Sequence, residues 1–122
     1  MNSYALQAYK NVKVNTASNG DLIVMLFDGA IRFANQAINC IDESDIAGAH
    51  NKLVRAQDIM TELISALNMD VGEIAQNLYQ LYTFINQLLI QANVNKDPVL
   101  IQQAIKLLTE LRDMWHEVVE QA

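Results

Sequence analysis

The sequence has little punctuation. One proline and four glycines stand among 122 residues, which argues against a sheet, whose frequent reversals draw on these residues. Cysteine is nearly absent too. Cys40 has no partner for an intrachain disulfide, and on the apolar side of a predicted helix it reads as a small hydrophobe, not a nucleophile. Basic side chains are scarce: 8 Lys and Arg against 14 Asp and Glu give a net charge of −6 at pH 7. Beyond the sparse Lys10 and Lys13 the chain shows no Lys/Arg run, so the counterion-releasing footprint that binds nucleic acid is missing. Long apolar runs are missing as well. Although 52% of residues are hydrophobic, none of the runs approaches the ~20 residues of a membrane span. The N-terminus also lacks the basic flank and continuous apolar segment of a signal peptide. The expectation is one soluble, cytoplasmic domain with a single core, no membrane insertion and no nucleic-acid partner.

What is present is helical periodicity. From Asp45 to Leu67 the apolar residues Ile46, Ala49, Leu53, Ala56, Met60, Leu63 and Leu67 alternate in steps of three and four, a heptad seam. The stretch after Val71 repeats it with Ile74, Leu78, Leu81, Ile85, Leu88 and Ala92, and the last with Ile101, Ala104, Leu108, Leu111, Trp115 and Val118. Ser18 with Asp21, and Asp70 with Glu73, have the spacing of capping boxes, and Asp97 before Pro98 is an N-cap followed by proline at the first helical position. The connections around Glu43, Met69 and Val94 are then only a few residues long, which forces successive helices to run antiparallel. The reading is all-α: an antiparallel up-down-up-down four-helix bundle over residues 18–122, preceded by a short, mobile N-terminal arm over residues 1–17.

The predicted first helix, from about Ser18 to Ile41, is apolar over more than one stripe. Leu22, Leu26, Gly29, Phe33, Ala37 and Cys40 form one, which suits a bundle seam; Ile23, Phe27, Ala30, Ala34, Ile38 and Ile41 form a neighbour. The second stripe is either the flank of a broad core stripe or surface kept for a partner. Leu100, Leu107 and Met114 add apolar area to the last helix, and Tyr79, Tyr82 and Leu89 lie off the seam assigned to the third. Gly29 costs a helix interior about 1 kcal/mol relative to alanine, so a neighbour is expected to approach closely there.

Catalytic patterns are not found. A dimetal-carboxylate bundle needs paired Glu-x-x-His motifs, and the nearest match is a single Asp113-x-x-His116. A histidine phosphotransfer module resembles this size and class, but it calls for lysine three residues beyond the histidine and then glycine, whereas Leu53 and Val54 follow His50. His50 therefore reads as a polar flank residue. There is no Gly-rich phosphate loop and no Cys-x-x-Cys pair. The expectation is a protein that is not an enzyme and uses no cofactor or metal.

The junction Thr16-Ala17-Ser18, where an aperiodic stretch gives way to Leu22-Ile23-Val24-Met25-Leu26-Phe27-Asp28-Gly29, is the most distinctive string. With Ala8-Tyr9 before it, it resembles the flagellin-specific export chaperone family, FliS. Further matches fall in Lys52-Leu53-Val54-Arg55-Ala56-Gln57-Asp58-Ile59, Asn77-Leu78-Tyr79-Gln80-Leu81-Tyr82, Ala92-Asn93 and Leu111-Arg112-Asp113-Met114-Trp115. The resemblance covers nearly the whole chain. It departs at Asn19, where such proteins commonly carry the proline that pre-sets the first helical φ.

The resemblance implies a cytoplasmic chaperone that wraps the disordered C-terminal segment of flagellin along the outside of the bundle. Premature polymerisation is thereby prevented and the cargo stays competent for flagellar type III secretion. It implies that the arm, with Leu6 and Tyr9, lies over the cargo surface until cargo arrives. It also makes the export gate and a regulator of flagellin expression expected partners. Candidate residues for cargo contact or its gating are Leu6, Tyr9, Ala17, Ser18, Leu22, Met25, Leu26 and Gly29, followed by Tyr79 and Tyr82. Periodicity alone also admits a helical adaptor or oligomerisation module with a different partner.

Overall fold

The structure, a computed structural model, describes residues 19–121. The expectations for Leu6, Tyr9, Ala17 and Ser18, including the Ser18 cap and the arm, lie outside the described residues. Four helices follow in order: α1 over Asn19–Asp42, α2 over Ile46–Ser65, α3 over Glu73–Asn95 and α4 over Pro98–Gln121. A single 3₁₀ turn, Met69–Val71, separates α2 from α3. The architecture is all-α, with no strand among the described residues. α1 packs on α2 and α4, and α3 packs on the same two, so the helices close a ring in which sequence neighbours are space neighbours.

Local chemistry sets the ends. Asp45 caps α2, its Oδ1 accepting the Gly48 N–H at 2.9 Å. Asp97 caps α4, accepting the Val99 N–H at 2.9 Å, and Pro98 opens the helix as expected. Both α1 and α3 end in a residue with left-handed backbone, Ser44 at φ 61° and Lys96 at φ 49°. The next N–H then reaches back into the last turn: Asp45 N–H to the Cys40 carbonyl at 2.7 Å, and Asp97 N–H to the Ala92 carbonyl at 3.1 Å. The capping box expected at Asp70 and Glu73 is not formed. Asn68 instead accepts the Asp70 N–H at 3.1 Å to cap the 3₁₀ turn, and Gly72 at φ 103° redirects the chain into α3 without a side-chain cap. Asp70 thus lies inside the 3₁₀ turn, and Gly72, not Asp70, stands at the N-cap of α3.

The core resolves the seams. α2 and α4 bury Ala49, Leu53, Ala56, Met60, Leu63 and Ile101, Ala104, Leu108, Leu111, the residues their heptads name; at the ends Ile46 and Val118 are exposed. α3 is rotated from the expected register. Its buried residues are Ala75, Tyr82, Ile85, Leu89 and Ala92, while Ile74 is exposed and Leu81 and Leu88 are half-buried. Both registers alternate three and four and share Leu78, Ile85 and Ala92. Ranking by hydrophobicity favours Ile74 and Leu81 over Ala75 and Tyr82, but the bundle favours the ring that finds partners. Tyr82 meets Phe27 edge-to-face across the core, centroids 5.7 Å apart, and its oxygen accepts the Trp115 indole N–H at 3.0 Å.

On α1 both stripes serve the bundle. Phe27, Ala30 and Ala34 of the second stripe are fully buried, with Ala37 of the first. A helix that packs on two neighbours needs two stripes: Gly29 and Phe33 lie toward α2, while Asp28 and Ile23 lie toward α4. The alanines permit close approach of the axes. The neighbour implied by Gly29 is Ile59 of α2, whose Cδ1 would stand 3.3 Å from an added Cβ.

Candidate functional site

α1 exposes no large hydrophobic side chain, whereas the second half of the molecule exposes many. Met69 and Val71 on the 3₁₀ turn, Ile74, Tyr79, Phe84, Ile90 and Val94 on α3, and Val99, Met114 and Val118 on α4 are all exposed; Val94 reaches 72% and Ile74 64%. Tyr79 and Ile90 are eleven residues apart, close to three helical turns, so they share one side of α3. Phe84 lies on the flank toward α4. α3 carries more apolar residues than any single seam can hold, and the bundle leaves the surplus in solvent.

Two concavities adjoin this surface. One, of about 260 Å³, opens at the end of the bundle where α1 begins, and its walls include Ile23, Leu67, Val71, Ile74, Leu78 and Trp115. Four elements converge there because antiparallel neighbours bring the start of α1 and α3 beside the ends of α2 and α4. Asn68 is the one side chain bearing an amide in a lining that is otherwise aliphatic or aromatic. The Tyr82–Trp115 hydrogen bond fixes the orientation of both rings at this groove. The second concavity, of about 300 Å³, runs between α3 and α4, with Phe84, Leu88 and Leu107 as its apolar wall and Gln103, Lys106 and Glu110 as its polar one. Grooves of this kind accept the apolar face of an amphipathic helix.

Of the residues singled out from sequence, Leu22 and Leu26 are core residues, Met25 and Gly29 are half-buried on α1, and Tyr79 is exposed on α3. Tyr82 is 1% exposed but contributes to the end groove. Ile74, Phe84, Ile90 and Val94 were not marked by the sequence as surface. A seam through Tyr82 and Leu89 would have released Ile74, and what hid it was the assumption that the most hydrophobic register is the buried one.

No groups of three or more His, Cys, Asp or Glu that could hold a metal occur among the described residues. His50 pairs with Asn93, the contact bridging α2 and α3 at 3.0–3.3 Å, and His116 stands 3.2 Å from Glu120 on the surface of α4. Cys40 is half-buried. No described helix is long and apolar enough to cross a membrane.

Comparison with known proteins identifies the family. The family model described as flagellar protein FliS matches residues 1–122. The flagellar secretion chaperone FliS of Vibrio cholerae is 35% identical, the match covering 93% of this chain and 88% of that protein. The protein of the same name from Salmonella typhimurium is 32% identical, over 96% of this chain and 91% of its own length. That from Bacillus subtilis is 30% identical, over 93% and 84%. With a whole-length family match, relatives named as chaperones and a surface of unpartnered apolar side chains, the chain belongs to the FliS family of flagellar secretion chaperones.

Proposed function

We propose that this protein binds the disordered C-terminal segment of flagellin in the cytoplasm, preventing premature polymerisation and delivering it competent for flagellar type III secretion. One observation carries the reading: exposed large hydrophobics concentrate on the 3₁₀ turn, α3 and α4, beside two grooves of helix-accepting character. Ordering a disordered segment costs free energy, so its binding needs a large apolar area, and this surface offers it. Ile74, Tyr79, Phe84, Ile90 and Val94 take cargo side chains, with Met25 at the margin on α1. Tyr82 holds the end groove's shape from within, while Leu22 and Leu26 support the bundle from the core and Gly29 sets the approach of α1 to Ile59 of α2. Leu6, Tyr9, Ala17 and Ser18 gate access, and release follows engagement of the export gate.

Isothermal titration with a peptide covering about the last 40 residues of flagellin, against a scrambled control, tests the reading. One-to-one, sequence-dependent binding with a negative heat-capacity change is expected. Absence of binding together with concentration-dependent self-association would instead make the protein a helical adaptor.

A further inference from the structure

Six Lys or Arg side chains occur in the described residues, at positions 32, 52, 55, 96, 106 and 112. Three of them surround one ring. The Arg32 and Arg55 guanidinium carbons lie 5.5 and 5.6 Å from the Phe33 centroid, and Lys52 Nζ lies 5.7 Å away. Arg32 and Phe33 come from the middle of α1. Lys52 and Arg55, three apart on α2, share a face and meet them across the α1–α2 contact. The cluster is not visible along the sequence, since Arg32 and Phe33 on one helix meet Lys52 and Arg55 on the next only when the two helices pair.

The other cations are differently placed. Arg112 is held by Asp28 at 2.8 Å and reaches Asp113 at 3.4 Å, Lys96 donates to the Asn93 carbonyl at 2.6 Å, and Lys106 shares its groove wall with Glu110. Arg32, Lys52 and Arg55 have no ion-pair partner among the described residues. Asp28, one turn before Arg32, is spent on Arg112. In a chain with 14 acidic side chains, three like charges drawn to one ring without a carboxylate between them oppose their own proximity. The ring's negative face offsets part of that repulsion, and an anionic ligand would offset more.

We propose that Arg32, Lys52 and Arg55, gathered around Phe33, form a second binding surface, for a short acidic peptide segment of a partner protein with an apolar side chain between its carboxylates. The charges ring an aromatic face and do not converge on a point, so they fit separated carboxylates flanking an apolar residue better than a single phosphate. The chain's overall charge of −6 disfavours an extended polyanion or an anionic membrane, which would meet the acidic surroundings as well as the patch. The surface lies on the α1–α2 side, across the bundle from the α3–α4 groove, so the two ligands can be held together.

The test uses the full chain and a fluorescein-labelled peptide of Glu-Asp-Leu-Glu-Asp in tandem, with a Lys-for-acid version as control. Fluorescence anisotropy should show binding of the acidic peptide only, weakened about tenfold as NaCl is raised from ~50 to ~500 mM. Joint Arg32→Gln, Lys52→Gln and Arg55→Gln substitution relieves repulsion, so it should fold as well as the parent by circular dichroism. It should lower affinity about tenfold or more while leaving affinity for the flagellin peptide unchanged. Phe33→Leu, which keeps most of the packing volume, should lower it about threefold. The proposal is overturned if the parent does not bind the peptide at low salt, or if the triple variant binds it equally well. It is also overturned if phosphatidylglycerol vesicles bind the patch as strongly as the peptide, if the patch instead drives self-association at low salt, or if the triple variant loses the flagellin peptide.

Discussion

Helices α1 and α3 are nearly equal in length and similarly apolar, yet the bundle uses them in opposite ways. α1 commits both of its stripes to α2 and α4 and leaves no large hydrophobic exposed, whereas α3 buries five residues and leaves Ile74, Tyr79, Phe84, Ile90 and Val94 in solvent. Small residues make the difference. Ala30, Ala34 and Ala37 let the neighbours of α1 close around it, while α3 carries bulky residues on several sides and its neighbours cannot cover all of them. A helix that is apolar on two sides is thus no guide to a binding surface until it is known how many neighbours it has. α1 holds the fold together, and α3 with α4 leaves apolar side chains exposed.

Substitutions on the two helices should separate along this line. The largest effect is expected inside α1: Phe27→Ala, at a fully buried ring, should cost about 3–5 kcal/mol in urea unfolding. A value below about 1 kcal/mol would mean that α1 is not the organising helix. Next comes Tyr82→Phe on α3, which leaves the Trp115 indole N–H without its acceptor and should cost about 1 kcal/mol.

Tyr82 also adds a pH dependence. Burial pushes its phenol above the ordinary 10.0, and the Trp115 hydrogen bond pulls partly back. The folded state therefore retains the proton more tightly than the unfolded one. This contribution is complete below the unfolded value and is lost as pH rises through the folded one. Tyr82→Phe should consequently flatten part of the parent's decline in stability above about pH 10, and identical alkaline slopes would contradict the assigned burial.

Gly29→Ala should have a smaller effect, of favourable sign. Helix propensity gains up to about 1 kcal/mol, and the 3.3 Å contact is with the terminal methyl of Ile59, which can yield by a few tenths of an ångström. A lowered melting temperature would show the α1–α2 contact to be more rigid than that. Smallest for stability is Phe84→Ser on exposed α3, expected within about 0.5 kcal/mol of the parent in urea unfolding. The same change should weaken flagellin-peptide binding about tenfold, and equal losses of stability and affinity would remove the distinction between core and surface.

Much of this was legible in the sequence. The seams of α2 and α4, the cap at Asp97 and the ring of four helices follow from period and turn chemistry. The register of α3 did not, because Ile74–Leu81–Leu88 and Ala75–Tyr82–Leu89 satisfy the same heptad and only contacts from Phe27 and Trp115 select between them. The Asp70 box failed because Asp70 is taken into the 3₁₀ turn capped by Asn68, which moves the N-cap of α3 to Gly72. The surplus of apolar residues was legible, but which of them the bundle leaves exposed was not, since which stripe stays uncovered is decided by helices far away in sequence. The basic cluster at Phe33 was invisible for the same reason.

The most direct test of the division between α1 and α3 is isoleucine-methyl NMR of the labelled protein, titrated with unlabelled flagellin C-terminal peptide. The methyls of Ile74 and Ile90 should shift or broaden at stoichiometric peptide, while those of Ile31 and Ile38 on α1 stay in place. Perturbation confined to Ile31 and Ile38, with Ile74 and Ile90 unmoved, would contradict the account and return the cargo surface to the first helix.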